Sequence, residues 1–386
     1  MNDLRTTSLS LGRAALARLS ARHPAWVAEL VEPDRSSRDH RDDEVFIEHV
    51  YLELLARPAD PDGRQTYLAA LANGLSRADL VVSIAQSDEY RLRCGHGTRG
   101  GSAQGPRLRN SERYRYNSEQ SAWTLNITGP TDFDWIENTI LTDSYYEKPG
   151  VWNLRVDTDK QVMAEIVASL SEQRVLEIGC ASGAVLEGLY DRGLSFEGVD
   201  ISAMALAEAS DRVRDHIHRG DLLTIDLGHD FDTVFGLDIF EHLNPNRLGA
   251  YIERLRSCLV AGGILFANIP AFGRDPVFGE IFPYYLPGWE ADAAANRCFR
   301  TLHVDDDGYP LHGHLIWADT KWWVQQFEAV GFVRARSAEV ALHRKYDEYM
   351  KSCSPARRSF YVFAAEDLGR EPRIIERIEE SPSMVG

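Results

Sequence analysis

The sequence predicts an α/β domain preceded by a small all-helical one, and three observations carry that expectation. Residues 174–190, RVLEIGCASGAVLEGLY, run from a strand through a tight turn holding Gly179 and Gly183 into a helix. The strand FEGVDIS follows and ends on Asp200. Upstream, the stretch from Phe46 to Arg91 sets apolar residues at helical spacing: Phe46, Val50, Leu54 and Leu55, then Tyr67, Leu68 and Leu71, then Leu80, Val81 and Ile84.

Composition narrows the function classes. A chain of 386 residues, 44% hydrophobic, has material for a full core. Its net charge of -17 argues against a surface that grips nucleic acid, because phosphates are held by Lys and Arg. Cys94, Cys180, Cys258, Cys298 and Cys353 are scattered with no C-x-x-C pair, which suits a reduced, cytoplasmic protein rather than a disulfide scaffold or structural zinc site. The opening MNDLRTTSLSLGRAALARLSARHPAW has no unbroken apolar run, so neither an export signal nor a transmembrane segment is expected.

In chain order, residues 1–43 read as a helix and a flexible connector ending in DRSSRDHRDDE. Residues 44–93 form the helical module, broken at Pro58 to Gly63 and again at Gly74 and Ser76. Its pattern F-I-x-x-V-Y-x-x-L-L-x-R-x-x-D-x-x-G, with S-R-A-D-L and S-x-E-Y, resembles domain of unknown function 4214. That resemblance implies the company of bacterial cell-surface and glycan-related proteins, hence a protein or glycan contact through this module. Residues 94–120 are a Gly, Arg and Ser-rich linker, and 121–366 are the α/β domain, with an insert at about 272–320. Residues 367–386 are a charged tail with one closing helix.

The α/β domain carries the chemistry. Glu177, Gly179 and Gly183 form E-x-G-x-x-x-G rather than the dinucleotide pattern G-x-G-x-x-G, and the glycines would let backbone approach a ligand closely. Asp200, at the end of the second strand, is placed to accept from ribose hydroxyls, and Asp221 in HRGDLL from an adenine amino group. FDTVFGLDIFEHL supplies a further strand with Asp238, Glu241 and His242 at its carboxyl end. The residues alone thus indicate a nucleoside-containing cofactor, nicotinamide included.

The combination resembles the class I S-adenosylmethionine-dependent methyltransferases. VLEIGCASG is similar to their first motif, GVDIS to the second, GDL to the third, DTVFGLDIFEHL to the fourth, and LRSCLVAGGILFANIP to the following helix, turn and strand. The resemblance implies a Rossmann-like, seven-stranded, mostly parallel sheet, S-adenosylmethionine as cofactor and S-adenosylhomocysteine as product. It places Glu177, Gly179 and Gly183 at the methionine side, Asp200 at the ribose, and Asp221 with Leu222 at the adenine; Cys180, Ala181, Ile201 and Asp238 complete the expected cofactor site. Ala181 departs from the glycine that many relatives carry.

A sugar hydroxyl as methyl acceptor has a high pKa and profits from a positioned base. His242 is one candidate; the insert offers His303, His312 and His314 beside Asp305, Asp306 and Asp307. Read as a strand, L-H-G-H-L-I-W puts His312 and His314 on one face, where Asp305 would orient one of them. Tyr284, Tyr285, Trp289, His303 and Trp317 are the expected substrate contacts, with Tyr284, Trp289 or Trp317 exposed as a stacking platform. Metal is not expected; magnesium through Asp305, Asp306 and His312, or zinc through His303, His312 and His314, are the alternatives.

The leading expectation is O-methylation of a sugar hydroxyl in a glycan, nucleotide-sugar or glycosylated metabolite. Methylation of a small aromatic or lipid-like metabolite is the second reading. An inactive scaffold or glycan-binding protein that keeps the fold is the third.

Overall fold

The computed structural model describes residues 43–85 (without 45, 49, 52–58, 60, 73, 74 and 76), 111–117, 122–147, 156–284, 288–305 and 307–385. The expected N-terminal helix, most of the expected linker, Leu54, Leu55, Cys94, Tyr285 and Asp306 lie outside the described residues. The chain divides into two compact units, Met1–Thr124 with His303–Gly308, and Leu125–Leu302 with Tyr309–Gly386.

In the first unit α1 (Pro61–Ala72) is followed by α2 (Arg77–Ala85); Gly74 and Ser76, where a break is expected, lie outside the described residues. Phe46, Ile47, Val50, Tyr51, Leu80, Val81 and Ile84 bury together, with Tyr67, Leu68 and Leu71 against them, which is the stripe that the spacing predicts. Arg77 pairs with Asp43 at 2.6 Å while its guanidinium lies 4.6 Å over the Phe46 ring.

The second unit is Rossmann-like. Its sheet contains β1 (Arg174–Ile178), β2 (Ser195–Asp200), β3 (Ile217–Arg219), β4 (Phe231–Leu237), β5 (Leu259–Asn268), β6 (Val333–Arg334) and β7 (Phe360–Ala364). They lie in the order β6-β7-β5-β4-β1-β2-β3. The strands β3, β2, β1, β4 and β5 run parallel, and β7 and β6 close one edge antiparallel. Every residue of β7 and the first six of β4 are buried, the near-continuous apolar run of a sheet covered on both faces.

The covering helices are α3 (Pro130–Thr142), α4 (Thr158–Leu170), α5 (Ala184–Asp191), α6 (Leu248–Cys258), α7 (Thr320–Ala329), α8 (Arg336–Cys353) and α9 (Glu371–Glu380). Asp157 caps α4 through the Lys160 N–H, and Asp319 caps α7 through the Trp322 N–H. Val162, Ile166, Leu342 and Tyr346 share one core with Ile374 and Ile378 of α9. The charged tail therefore holds its helix by two apolar side chains a turn apart, each contributing about 1.5–3 kcal/mol. On α7, Trp323 is fully buried, and Phe327 stacks on Phe363 at 4.5 Å. The aromatics at 322, 323, 327 and 332 are core, as a sheet-covering helix requires.

Two features position the site. From β1 the chain builds outward to β2 and β3, then crosses back to lay β4 on the other side of β1. Loops leaving the carboxyl ends of β1 and β4 diverge at that switch point and open a crevice, the usual ligand position in such sheets. The insert is tethered at its start by Arg334, which pairs with Asp275 at 2.9 Å and Glu339 at 2.8 Å in the interior.

One expectation fails here. Residues 311–317 are not a strand: Leu311–Gly313 form a 3-10 turn, with His312 at φ 59° and Gly313 at φ 74°. Two successive left-handed residues cannot join an extended ladder, so His312 and His314 do not share a strand face. The segment is instead held by Leu315 and Ile316, whose N–H groups both donate to the Glu241 carbonyl at 2.8 and 2.9 Å.

Candidate functional site

On the β1–β2 side of the crevice, four backbone donors of the loop from Gly179 to Gly183 are held within the protein. Gly179 and Cys180 N–H both donate to the Val199 carbonyl, Gly183 N–H to the Cys180 carbonyl, and Ala181 N–H to Asp200 Oδ2 at 2.8 Å. A Cβ at Gly179 would meet Ile239 Cγ1 at 2.6 Å, and one at Gly183 would meet Ile217 and Val213 at 3.0 Å. The glycines are thus required by the protein's own packing and by φ values of 65° and 74°.

The loop presents carboxylates. Glu177 is buried and its Oε2 has no hydrogen-bond partner. Burial, then the charge of Asp200, raises its carboxyl well above the usual range. Asp200 Oδ1 accepts the Ser202 N–H at 2.8 Å, so each of its oxygens holds one backbone donor and keeps a lone pair for a ligand. Beside it Ile201 is 40% exposed, an apolar shelf. Asp221 is held through Oδ1 by Leu223 N–H at 2.9 Å and through Oδ2 by the Tyr251 hydroxyl at 3.0 Å. Leu222 is buried. Cys180 is a packing residue: its Sγ fills the space where a Cβ on Gly198 would lie, and burial raises its thiol pKa.

On the β4 side, Asp238 sits at φ 51° with its carboxylate on Arg357 at 2.6 Å; Arg357 also holds Asn268 Oδ1 at 2.9 Å. Glu241 is 1% exposed, and neither carboxyl oxygen has a hydrogen-bond partner. Burial, then Asp238, pushes its carboxyl well above the usual range. His314 Nε2 lies 3.7 Å from Glu241 Oε1, and the His242 ring meets the His314 ring edge-on at 4.7 Å. Burial pulls His242 down to about 3 and His314 well below its ordinary value, so both imidazoles are neutral at pH 7. His312, half-buried, lies 5.4 Å from the His314 ring.

The structure therefore brings His242 and His314 together, with His312 beside them and Glu241 as the adjacent acid. Asp305 closes its own turn, its Oδ1 accepting the Asp307 N–H at 3.0 Å. His303 is buried, and that burial lowers it to about 4. The expected stacking platform is corrected. Trp317 is 3% exposed, with Phe272 at 5.2 Å and His314 at 4.6 Å. Tyr284 and Trp289 are half-buried and stack on each other at 3.7 Å, using a face of each ring. Glu241 is the site residue that the sequence expectations leave without a role: its signal is the Glu-His pair at the end of β4, but its partner His314 arrives only when the insert folds back.

Residues 176–265 match the family model of a methyltransferase domain, and residues 34–94 match that of the domain of unknown function DUF4214. The second unit has the class I S-adenosylmethionine-dependent methyltransferase fold. Nodulation protein S of Azorhizobium caulinodans is 33% identical over 112 residues, 28% of this chain and 54% of that protein. A ubiquinone biosynthesis O-methyltransferase of Psychrobacter cryohalolentis is 27% identical over 184 residues, 43% of this chain and 65% of that one. The chain spans about half the length of the first of these curated relatives and rather more of the second. The 1,6-didemethyltoxoflavin-N1-methyltransferase of Burkholderia thailandensis superposes with a TM-score of 0.39 at 15% identity, covering 66% of this chain and 100% of its own. Among the described residues no helix is long and apolar enough to cross a membrane.

Proposed function

We propose that this protein transfers a methyl group from S-adenosylmethionine to an oxygen of a small molecule, and that the acceptor is a sugar hydroxyl. The observation that carries the reading is the unpartnered Glu177 carboxyl oxygen beside Asp200 at the end of β1, with the Glu241, His242 and His314 cluster following the neighbouring strand β4. Glu177 would take the cofactor's ammonium group, Asp200 its ribose diol, Ile201 one face of its adenine, and Asp221 the adenine amino group. When bound, the cofactor supplies an electrophilic methyl on a sulfonium, which asks the protein for alignment and a dry cleft.

The protein's task is then the acceptor's proton. As the oxygen takes the methyl and the sulfur keeps the electrons of the broken S–C bond, the hydroxyl proton passes to a neutral imidazole, which we assign to His314. Its Nδ1 is unpartnered and its Nε2 lies 3.7 Å from Glu241 Oε1. His242 is the second candidate. The helical module's resemblance to glycan-related proteins favours a sugar. The names of the ubiquinone relatives favour an aromatic hydroxyl as the alternative acceptor.

Four described cysteines are free, which suits the reducing cytoplasm in which we place the protein. The test is transfer of labelled methyl groups to panels of sugars, nucleotide-sugars and phenols. Label in sugar hydroxyls supports the proposal, and label in phenols alone moves the acceptor to the alternative. Failure of calorimetry to detect S-adenosylhomocysteine binding overturns both.

A further inference from the structure

We infer that Glu241, His242 and His314 form a site for a divalent transition-metal ion of the zinc or cobalt type, with coordination positions left open toward the crevice. The inference rests on the function proposed above only for the ion's task, which would be to hold the acceptor oxygen and lower its pKa, with His314 then serving as a ligand rather than as the base.

Four observations converge. One ligand atom from each of the three side chains lies within 4.8 Å of the other two. Ligands bound to zinc at about 2.0–2.2 Å sit roughly 3.4 Å apart, so binding asks the three side chains to close by up to ~1.4 Å. Glu241 is buried with both carboxyl oxygens unsatisfied, a state costly for a polar group and relieved by a cation. The His242 and His314 rings meet edge-on with centroids 4.7 Å apart, which sets a ring nitrogen of each beside the same carboxyl. Finally, the paired bonds from Leu315 and Ile316 to the Glu241 carbonyl lock the His314 segment onto the Glu241 turn, so the donors are gathered before any ion arrives.

The donor set selects the ion. Two nitrogens and one carboxylate match zinc sites that keep a fourth position open, whereas magnesium prefers oxygen ligands in an octahedron. Asp238, the other acid at this strand end, is paired to Arg357 and is not needed. This set differs from those that the sequence suggested, which drew on Asp305, Asp306, His303 and His312.

The experiment uses the full chain without an affinity tag, stripped by chelator and titrated with Co²⁺ and Zn²⁺, reading visible cobalt bands and heat. S-adenosylhomocysteine binding is measured on the same metal-free protein. We expect a single equivalent of ion, and an affinity at least ~10–100-fold lower in Glu241→Gln and His314→Ala, each first shown to melt as a folded protein. His218→Gln, which alters a histidine paired to Glu197 on the far edge strand β3, should bind as the parent does. Absence of binding, or equal binding by all variants, overturns the site. If S-adenosylhomocysteine binds and metal does not, the site alone falls; if metal binds and S-adenosylhomocysteine does not, the site stands and the methyl-transfer reading falls.

Discussion

The two sides of the crevice hold similar side chains in different states of completion. On the β1–β2 side the carboxylates of Asp200 and Asp221 already hold backbone or hydroxyl donors, and the loop between Gly179 and Gly183 is tied to Val199 and Asp200. On the β4 side Glu241 has no hydrogen bond to either oxygen, and two neutral histidines stand beside it. A site for a ligand of constant shape gains from donors and acceptors held in advance. A site that must accept or release charge keeps groups whose partners arrive with the substrate. Glu177 joins the two styles, since it sits on the first side yet keeps an orphan oxygen.

The largest expected effect tests the unfinished side. His314→Ala should lower turnover by ~10²–10⁴-fold, the usual worth of a positioned base, and leave S-adenosylhomocysteine affinity nearly intact in calorimetry. Small, equal changes in both would erase the difference between the sides and pass the base to His242. Next, Asp200→Ala should weaken S-adenosylhomocysteine binding by ~10–100-fold, as expected when a charged acceptor is lost. Unchanged affinity would remove Asp200 from the ribose.

A third prediction concerns a histidine whose burial acts on stability. His303 is lowered by burial to about 4, below its ordinary 6.5. Its folded pKa is depressed, so it contributes stability fully above pH 6.5 and loses it as pH falls toward 4. Thermal melts across that window should show a loss of about 2 kcal/mol that His303→Gln largely abolishes. A slope identical in the variant would show that His303 is not its source. The smallest effect concerns Ala181, at φ 48° in the completed loop. Ala181→Gly should relieve about 1 kcal/mol of left-handed strain and lose roughly as much to the freer unfolded chain. Denaturant unfolding should therefore move by under about 0.5 kcal/mol; a larger shift would mean that the loop is more strained than its hydrogen bonds suggest.

Much of the fold was legible because its signals are local. Apolar runs such as FYVFA, the glycines after β1, and Ile374 and Ile378 a turn apart within EPRIIERIEE each depend on neighbours a few residues away. The insert was not legible in this way. His-Gly-His alternates like a strand, and only the folded chain puts His312 and Gly313 in left-handed conformations. Tyr284 and Trp289 look like open faces in the sequence, yet they stack on each other.

The sequence by itself determined the sheet-and-helix architecture, the acids at the ends of β1 and β2, and the helical stripe of the N-terminal module, because periodicity and turn chemistry act over short stretches of chain. Tertiary structure alone decided that Gly179 makes room for Ile239, that Trp317 is core, and that Glu241 meets His314. Those facts depend on which distant segments share a volume, and burial then sets whether a carboxyl or an imidazole carries charge.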